Sequence, residues 1–366
     1  MKFNTFSALR HRNFRLFFIG QSVSLIGTWM HSLAQGWLVL KLTDSAFYLS
    51  LVQAMGSLPI LFLSLIGGVV ADRVVKRNLL LVTQALSMAL ATLLAVLVGM
   101  GAVTVWHVIV IATMLGVVNT FDIPGRQSFI VEMVGKEDLM NGIALNSAIF
   151  NGARIIGPAI GGVLIAAAGI TACFYINAAS YTAIIAGLLM MRFEAAPPRR
   201  ESRPMMKELK EGLAYIRHTP SLSYFILMVS VTSLLAIPYI ALMPVFARDV
   251  LGVGAKGLGV MMGSAGAGAL AGALTLATLG AVRRKGLTAF SAAFISSAAL
   301  LAFSFSRSYP LSCVLLVVVG WGMITQLATV NTLIQTDVPD DLRGRVMSLY
   351  TLVFLGFIPV GNLIVG

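Results

Sequence analysis

Gly68-Val69-Val70-Ala71-Asp72-Arg73-Val74-Val75-Lys76-Arg77 is a short charged break between two apolar runs, residues 46–70 and 78–100. Each run is long enough to cross the roughly 30 Å hydrocarbon core of a bilayer as a helix, so the break reads as the loop joining two membrane-spanning helices. The pattern repeats outward in both directions. Apolar stretches at 15–40, 46–70, 78–100, 104–123, 142–168, 171–191, 221–246, 257–281, 286–305, 309–333 and 346–366 predict eleven spans. They are long continuous runs, unlike the short alternating segments of a membrane barrel. No small-residue cleavage site follows the first, which reads as a permanent helix and not as a signal peptide.

Composition agrees. Of 366 residues, 58% are hydrophobic and 11% charged, and the mean hydropathy is +0.91, well beyond a typical soluble domain. With a cytoplasmic N-terminus, 21 of the 26 Lys and Arg fall on inside segments: the N-terminus and the loops after helices 2, 4, 6, 8 and 10. Outside segments carry Lys41, Arg248, Lys256 and Arg307, and Arg154 lies within a helix. That asymmetry sets the orientation. The net charge of +12 then answers the anionic inner leaflet and not nucleic acid. Cys173 and Cys313 read as small residues in apolar surroundings, and no grouping resembles a metal site.

An internal repeat organises the chain. Glu137-Asp138-Leu139 precedes a helix with Gly157 and Gly161, and Asp340-Asp341-Leu342 precedes one with Gly356, Gly361 and Gly366, an offset of 203 to 204 residues. Asp72 to Arg77 has a weaker echo in Arg283-Arg284-Lys285. The expected domains are a six-helix bundle over 1–195, a linker over 196–220 broken by Pro197-Pro198-Arg199-Arg200, and a second bundle over 221–366. Within the linker, Met206, Leu209, Leu213 and Ile216 recur at helical spacing opposite Lys207, Glu208, Lys210 and Glu211, which predicts an amphipathic helix on the cytoplasmic membrane surface; a solvated linker helix is the alternative. The repeat implies a twelfth helix, so roughly 40 residues are expected beyond Gly366. An eleven-helix protein ending outside is the other reading.

The Gly68 to Arg77 segment resembles the Gly-x-x-x-Asp-Arg-x-Gly-x-Arg-Arg cytoplasmic loop of the major facilitator superfamily. Val75 stands where that family has Gly, and Lys76 and Arg77 supply the basic pair. Arg154-Ile155-Ile156-Gly157-Pro158-Ala159-Ile160-Gly161-Gly162 resembles the Gly-Pro-x-x-Gly-Gly signature in the fifth helix of the superfamily's exporters. With Phe121-Asp122-Ile123-Pro124-Gly125-Arg126-Gln127 and the segment from Asn141 to Gly162, the chain looks like the branch of enterobactin exporters and macrolide efflux proteins. The resemblance implies an all-α membrane fold of two six-helix bundles (6+6), here ending within helix 11. It further implies alternating access around a central site near the bilayer midplane, and a proton gradient as energy source with no cofactor.

Physically, Asp72 beside Arg73, Lys76 and Arg77 can hold inner helix ends together as a latch, or cap helix 11 near Gly344. A plain positive-inside loop is the alternative. Similar family members place an acid at the inner end of helix 4, which makes Asp122 the expected partner of Arg73 or Arg77, with Arg126 in the same segment. Gly157, Pro158, Gly161 and Gly162 allow close packing and a bend. Arg154, about twelve residues into helix 5, costs roughly 2.5–3.5 kcal/mol on insertion scales. It is either a substrate or coupling contact, suited to an anionic cargo, or a structural Arg tied to backbone carbonyls, Asn119 or Asn151. Gln21, His31 and Gln35 in helix 1 are further candidates; His31 either carries a coupled proton or is a satisfied hydrogen-bonding residue. Gln53, Gln84, Asn146, Asn177, Gln326, Asn331 and Gln335 bind substrate or neighbouring helices.

These residues point to a secondary transporter exporting a small molecule, a siderophore or drug-like compound, across a bacterial inner membrane. A membrane receptor or scaffold, or a solute importer, is the alternative. No phosphate-binding loop argues for an ATP pump, no charged ring for a channel, and no nucleophile and base for an enzyme. The expected partners are the lipid bilayer and a small-molecule substrate, with no nucleic acid, and the expected state is a monomer.

Overall fold

In the computed structural model, which describes residues 6–192, 205–279 and 285–366, every regular element is a helix. A turn at Ser7–Arg10 leads into α1 (Arg12–Thr43), α2 (Ala46–Arg73), α3 (Lys76–Gly99), α4 (Val105–Val134), α5 (Leu139–Ala168) and α6 (Ile170–Met190). α7 (Met205–His218) precedes α8 (Pro220–Val231), α9 (Tyr239–Val245), α10 (Gly254–Leu279), α11 (Lys285–Phe305), α12 (Tyr309–Asp337) and α13 (Asp340–Val365). Among the described residues ten spans are long and apolar enough to cross a membrane, α8 through residue 250 counting as one. The eleventh expected span, α1, has the length at 32 residues but falls short in apolarity. Gln21, Ser24, His31, Ser32 and Gln35 dilute it, and the first two and His31 are buried inside its bundle. The Pro197–Arg200 break and Arg283-Arg284 lie outside the described residues, as do the side chains of 206–210, Asp340 and Asp341.

Two compact units form: Met1–Asp44 with Leu58–Glu201, and Ser45–Ser57 with Ser202–Gly366. The first half of α2 thus groups with the second unit, where the expected division put all of 1–195 together. The cause is local: the end of α13 packs on it, so that a Cβ at Gly366 would meet Ser50 and lie 3.3 Å from Phe47 Cα.

In the first unit α1 lies between α5 and α6, and glycines set the spacing. A Cβ at Gly157 would stand 2.6 Å from Trp29 Cβ and 2.8 Å from the Ile26 carbonyl oxygen. One at Gly20 would stand 2.7 Å from Ile184 Cα. Backbones that approach this closely gain dispersion contacts where apolar burial between lipid-solvated helices gives little. Gly157, Pro158, Gly161 and Gly162 are all buried, and Gly161 packs on Met30. In the second unit Gly361 of α13 meets Leu234 and Pro238 in the same way. Gly157 with Met30, and Gly361 with Leu234, are related by one offset of 204 residues. A second pair of contacts repeats too, Gly67 on Thr120 between α2 and α4, and Gly272 on Thr325 between α10 and α12.

Prolines explain where the helices depart from expectation. α4 was expected to end near residue 123 yet runs to Val134 with Pro124 inside it. Proline removes one backbone donor, and within a packed bundle neighbours tolerate the freed carbonyl; here the Thr120 carbonyl faces Gly67, where no side chain intervenes. Pro238 likewise strips the i+4 donor from Leu234, whose carbonyl faces Gly361. The expected continuous helix over 221–246 is instead interrupted, with wide turns at Thr232–Ala236 and Phe246–Val250. They are closed by Ile237 N to Thr232 O at 2.9 Å and Leu251 N to Phe246 O at 3.0 Å. Such i→i−5 turns absorb the register that proline disturbs.

α7 docks on protein at its C-terminal end. Ile216 is buried with Leu222, Val229, Val330, Ile334 and Val346, and Glu211 pairs with Arg345 of α13 at 2.5 Å. Leu213 of the same apolar stripe is exposed.

Candidate functional site

A polar stripe on α1 opens the site. Gln21, Ser24, Thr28 and His31 follow one another at three- and four-residue steps and so share a face. α3 contributes Gln84 and Ser87, α4 Asn119, Arg126 and Gln127, α5 Asn146, and α6 Asn177 and Tyr181. Together with the apolar side chains of Leu25, Trp29, Leu115, Ile123 and Phe150 they line an open cavity of about 430 Å³ in the first unit. That volume falls in the range of small-molecule sites.

Asp122 stands behind this wall, 1% exposed. Thr83 Oγ1 and Gln84 Nε2 each donate to its Oδ1 at 2.8 Å, and Arg126, one turn along α4, pairs with its Oδ2. An uncompensated carboxylate here would be expensive in a low dielectric; three donors and a countercharge make it tenable. Two expectations are thereby corrected. Asp122 lies in the interior of α4 and not at a helix end, because Pro124 does not terminate the helix. Asp122 pairs with Arg126, and of the two expected partners Arg77 is engaged elsewhere: its Nε and Nη2 donate to the carbonyls of Leu188 and Leu189 at 2.7 and 3.0 Å. Among the described residues Asp122 is the one buried carboxylate. The position 204 residues on is Gln326, whose Nε2 donates to Thr232 Oγ1 at 2.6 Å, so the repeat places a neutral amide where the first unit holds a charge.

His31 uses both ring nitrogens. Nε2 lies 3.1 Å from Gln35 Oε1 and Nδ1 3.1 Å from Asn177 Nδ2, and Phe174 packs edge-on at 5.0 Å. A neutral imidazole donating from Nε2 and accepting at Nδ1 fits both contacts. Arg154 stays off the cavity wall. Its guanidinium lies 5.7 Å from the centre of the Trp29 ring, which in turn meets Phe150 edge-to-face at 5.7 Å. Neither Asn119 nor Asn151 holds it; Asn151 donates to the Ser147 carbonyl. Arg154 therefore reaches the cavity only through an aromatic wall, by a cation–π contact.

At the α2–α3 loop, Asp72 and Arg73 are exposed. Gly68 has no atom within 4 Å of a Cβ, and the close approach belongs to Gly67. Val75, where the resembling loop has glycine, sits at φ −64° and ψ 114°, a region open to any residue, so the turn does not need glycine. Lys76 pairs with Glu132 of α4 at 2.6 Å. Arg77 shares the C-terminal carbonyls of α6 with Arg12, which donates to Met190 O at 3.0 Å. Cations there satisfy orphan carbonyls and the helix dipole. The basic pair of the loop is thus occupied in holding α3, α4 and α6 together.

The N-terminal turn is fastened at this end as well. Ser7 Oγ and His11 Nε2 reach Asp138 at 2.5 and 2.7 Å, and Ala8 N donates to Asn141 Oδ1 at 3.0 Å. The Ser7 hydrogen bond, then that of His11, holds the Asp138 carboxyl below its ordinary 3.8. A depressed carboxyl stabilises at pH above the unfolded-state value and loses that contribution as pH falls through the folded one. Residues 6–11 are therefore expected to release below about pH 4, read as faster amide exchange of that segment, and Asp138→Asn should remove the acid dependence.

Sequence reasoning missed Thr83, Ser24, Thr28, Ser87, Trp29 and Phe150 as site residues. The α1 stripe was legible at helical spacing; the α3 partners became visible only through packing.

The family model described as transmembrane secretion effector matches residues 3–366. The multidrug efflux pump Tap of Mycolicibacterium fortuitum is 29% identical over 90% of this chain and 82% of its own length. The staphyloferrin A transporter of Staphylococcus aureus is 28% identical over 96% and 88%. The enterobactin exporter EntS of Shigella flexneri is 24% identical over 93% and 81%. Among solved structures, the nucleoside transporter NupG shares the fold at a TM-score of 0.70 and 13% identity, covering 97% of this chain and 89% of that one.

Proposed function

The chain belongs to the transmembrane secretion effector family, and from that premise we propose that it exports a siderophore or drug-like molecule across the bacterial inner membrane, driven by protons. It is a multi-pass transporter of the major facilitator type and not an enzyme. The observation that carries the coupling is the Asp122–Arg126 pair behind the polar cavity. A proton taken up by Asp122 removes the countercharge of Arg126, frees its guanidinium, and changes the cavity's charge by one unit. A group that trades a proton for a change of partner is what coupling requires. The relatives' names supply the cargo classes, a drug efflux pump and two siderophore transporters.

In this reading the N-terminus is cytoplasmic, as the Lys and Arg distribution favours, and the α2–α3 loop with Asp72 and Arg73 gates the cytoplasmic end. Asp72→Asn is expected to lower export several-fold while protein still reaches the membrane; unchanged export would remove the gate. The function itself is tested in cells with and without the gene, by measuring secreted siderophore and retained macrolide, each with and without a protonophore. A gene-dependent difference that the protonophore abolishes is the expected result. A gene-dependent difference that survives the protonophore would remove proton driving.

A further inference from the structure

Arg126 holds more donors than it spends. Its Nη2 meets Asp122 Oδ2, while Nε and Nη1 bond nothing among the described residues and are not among the buried atoms left without a partner, so they open onto the cavity that Arg126 lines. Three amides stand open on the same wall. Asn119 and Gln127 of α4 are exposed and Asn146 of α5 is half-buried; all three line the cavity, and none has a side-chain hydrogen-bond partner among the described residues. Arg126 reaches back one turn of α4 to Asp122, and Asn119 lies one turn further on the same face.

Asp122 decides where the guanidinium rests. Its Oδ1 already accepts from Thr83 and Gln84, so a proton arrives on Oδ2, the oxygen that faces Arg126. The contact then sets donor against donor. A cation that loses its partner inside a membrane protein takes the nearest acceptors. Among the described residues no carboxylate lines the cavity, so the open amide oxygens are the acceptors at hand. The other charged and titratable neighbours leave that choice standing: His31 on α1 has both ring nitrogens engaged, Tyr181 on α6 is buried, Arg154 on α5 lies against Trp29, and α3 presents only Gln84 and Ser87. We propose that Arg126 is a tethered competitor of the cargo. Held on Asp122, it leaves the amides of Asn119, Gln127 and Asn146 to an uncharged hydrogen-bonding group of the cargo; released by a proton, it takes those amides itself. The cargo group is uncharged because the released guanidinium would hold an anion and not expel it, while a cation would meet Arg126 with no carboxylate on the wall. The proposal rests on the proton-driven export reading above and adds to it how proton and cargo exclude one another.

The test is equilibrium binding of two probes to the full chain in lipid nanodiscs at pH 7.5: benzamide, which is uncharged, and benzoate, its anionic counterpart. Asp122→Asn fixes the uncharged state, since its oxygen can keep Thr83 and Gln84 while its NH₂ turns Arg126 away. Benzamide affinity is expected to fall about fivefold in Asp122→Asn and to return in Asp122→Asn/Arg126→Gln, whereas benzoate affinity should rise in the first and be lost in the second. Unchanged benzamide affinity in Asp122→Asn, or a fall that persists without the guanidinium, would overturn the competition. Where a variant does not fold, the unaltered chain decides: benzamide should weaken about fivefold from pH 8 to pH 5, and equal affinity at both, or binding at neither, would overturn it. Arg126→Gln keeps His31, so an acid-dependent fall that survives there would belong to His31 and count against Arg126. Protonophore-sensitive export by a chain whose benzamide affinity ignores both changes would sink the competition and leave the export reading standing. The expected benzamide pattern in a protein that exports nothing would do the reverse.

Discussion

Asp122→Asn is expected to abolish proton-driven export, at least a tenfold loss, and to weaken the fold. Asparagine keeps the shape and the contacts to Thr83 and Gln84 but leaves the Arg126 guanidinium without its countercharge. Arg126 is only 20% exposed, and stranding one partner of a buried pair costs about 3–5 kcal/mol; its access to the polar cavity places it at the lower end. The two effects separate in the double variant Asp122→Asn/Arg126→Gln. Removing both charges should recover most of the folded protein, because no uncompensated charge remains, and should not recover coupling, because the carboxylate that takes up the proton is gone. Thermal unfolding in detergent reads the first effect and gradient-driven transport the second. If the double variant transports like the wild type, Asp122 is a structural ion-pair residue.

Gly157→Val should cause a large loss of folded protein outside the charged site. Its side chain would enter space held by Trp29 Cβ and the Ile26 carbonyl, which are fixed parts of α1 and not flexible tips. Overpacking of this kind costs about 1–3 kcal/mol per site, and in a bundle whose α1 is held from both sides the strain passes to α6. Gly361→Val, 204 residues on, should behave alike against Leu234 and Pro238. Gly152 in the same helix α5 is the control, since nothing lies within 4 Å of its Cβ. Gly152→Ala should be neutral or should gain the fraction of a kcal/mol that alanine brings to a helix, up to about 1. Yields of folded protein by size-exclusion chromatography distinguish the three.

The helical spans were legible because bilayer-length apolar runs admit few other structures. The repeat was legible in its glycines, and the structure gives their reason, close contacts of α5 on α1 and of α13 on the Thr232–Pro238 segment. What was misread traces to proline. Ending the fourth span at residue 123 hid the fact that Asp122 and Arg126 are one turn apart on an α4 that continues through Pro124, where their pairing follows from spacing alone. Taking 221–246 as one helix hid the turns around Pro238 and Pro244. Val75 shows the opposite case: a departure from the expected glycine that the backbone never required. The partners of Asp122 on α3, Thr83 and Gln84, lie about forty residues away in sequence, and no local pattern announces a contact of that range.

The most direct test of the central claim is the lumenal pH of proteoliposomes loaded with the pH dye pyranine, recorded as cargo is added to the wild type and to Asp122→Asn/Arg126→Gln. With the cargo identified by the export assay, wild-type vesicles should show a cargo-dependent proton movement that the double variant lacks while still folded. Proton movement of equal size in both proteins, or wild-type cargo transport with no proton movement, would contradict coupling through Asp122.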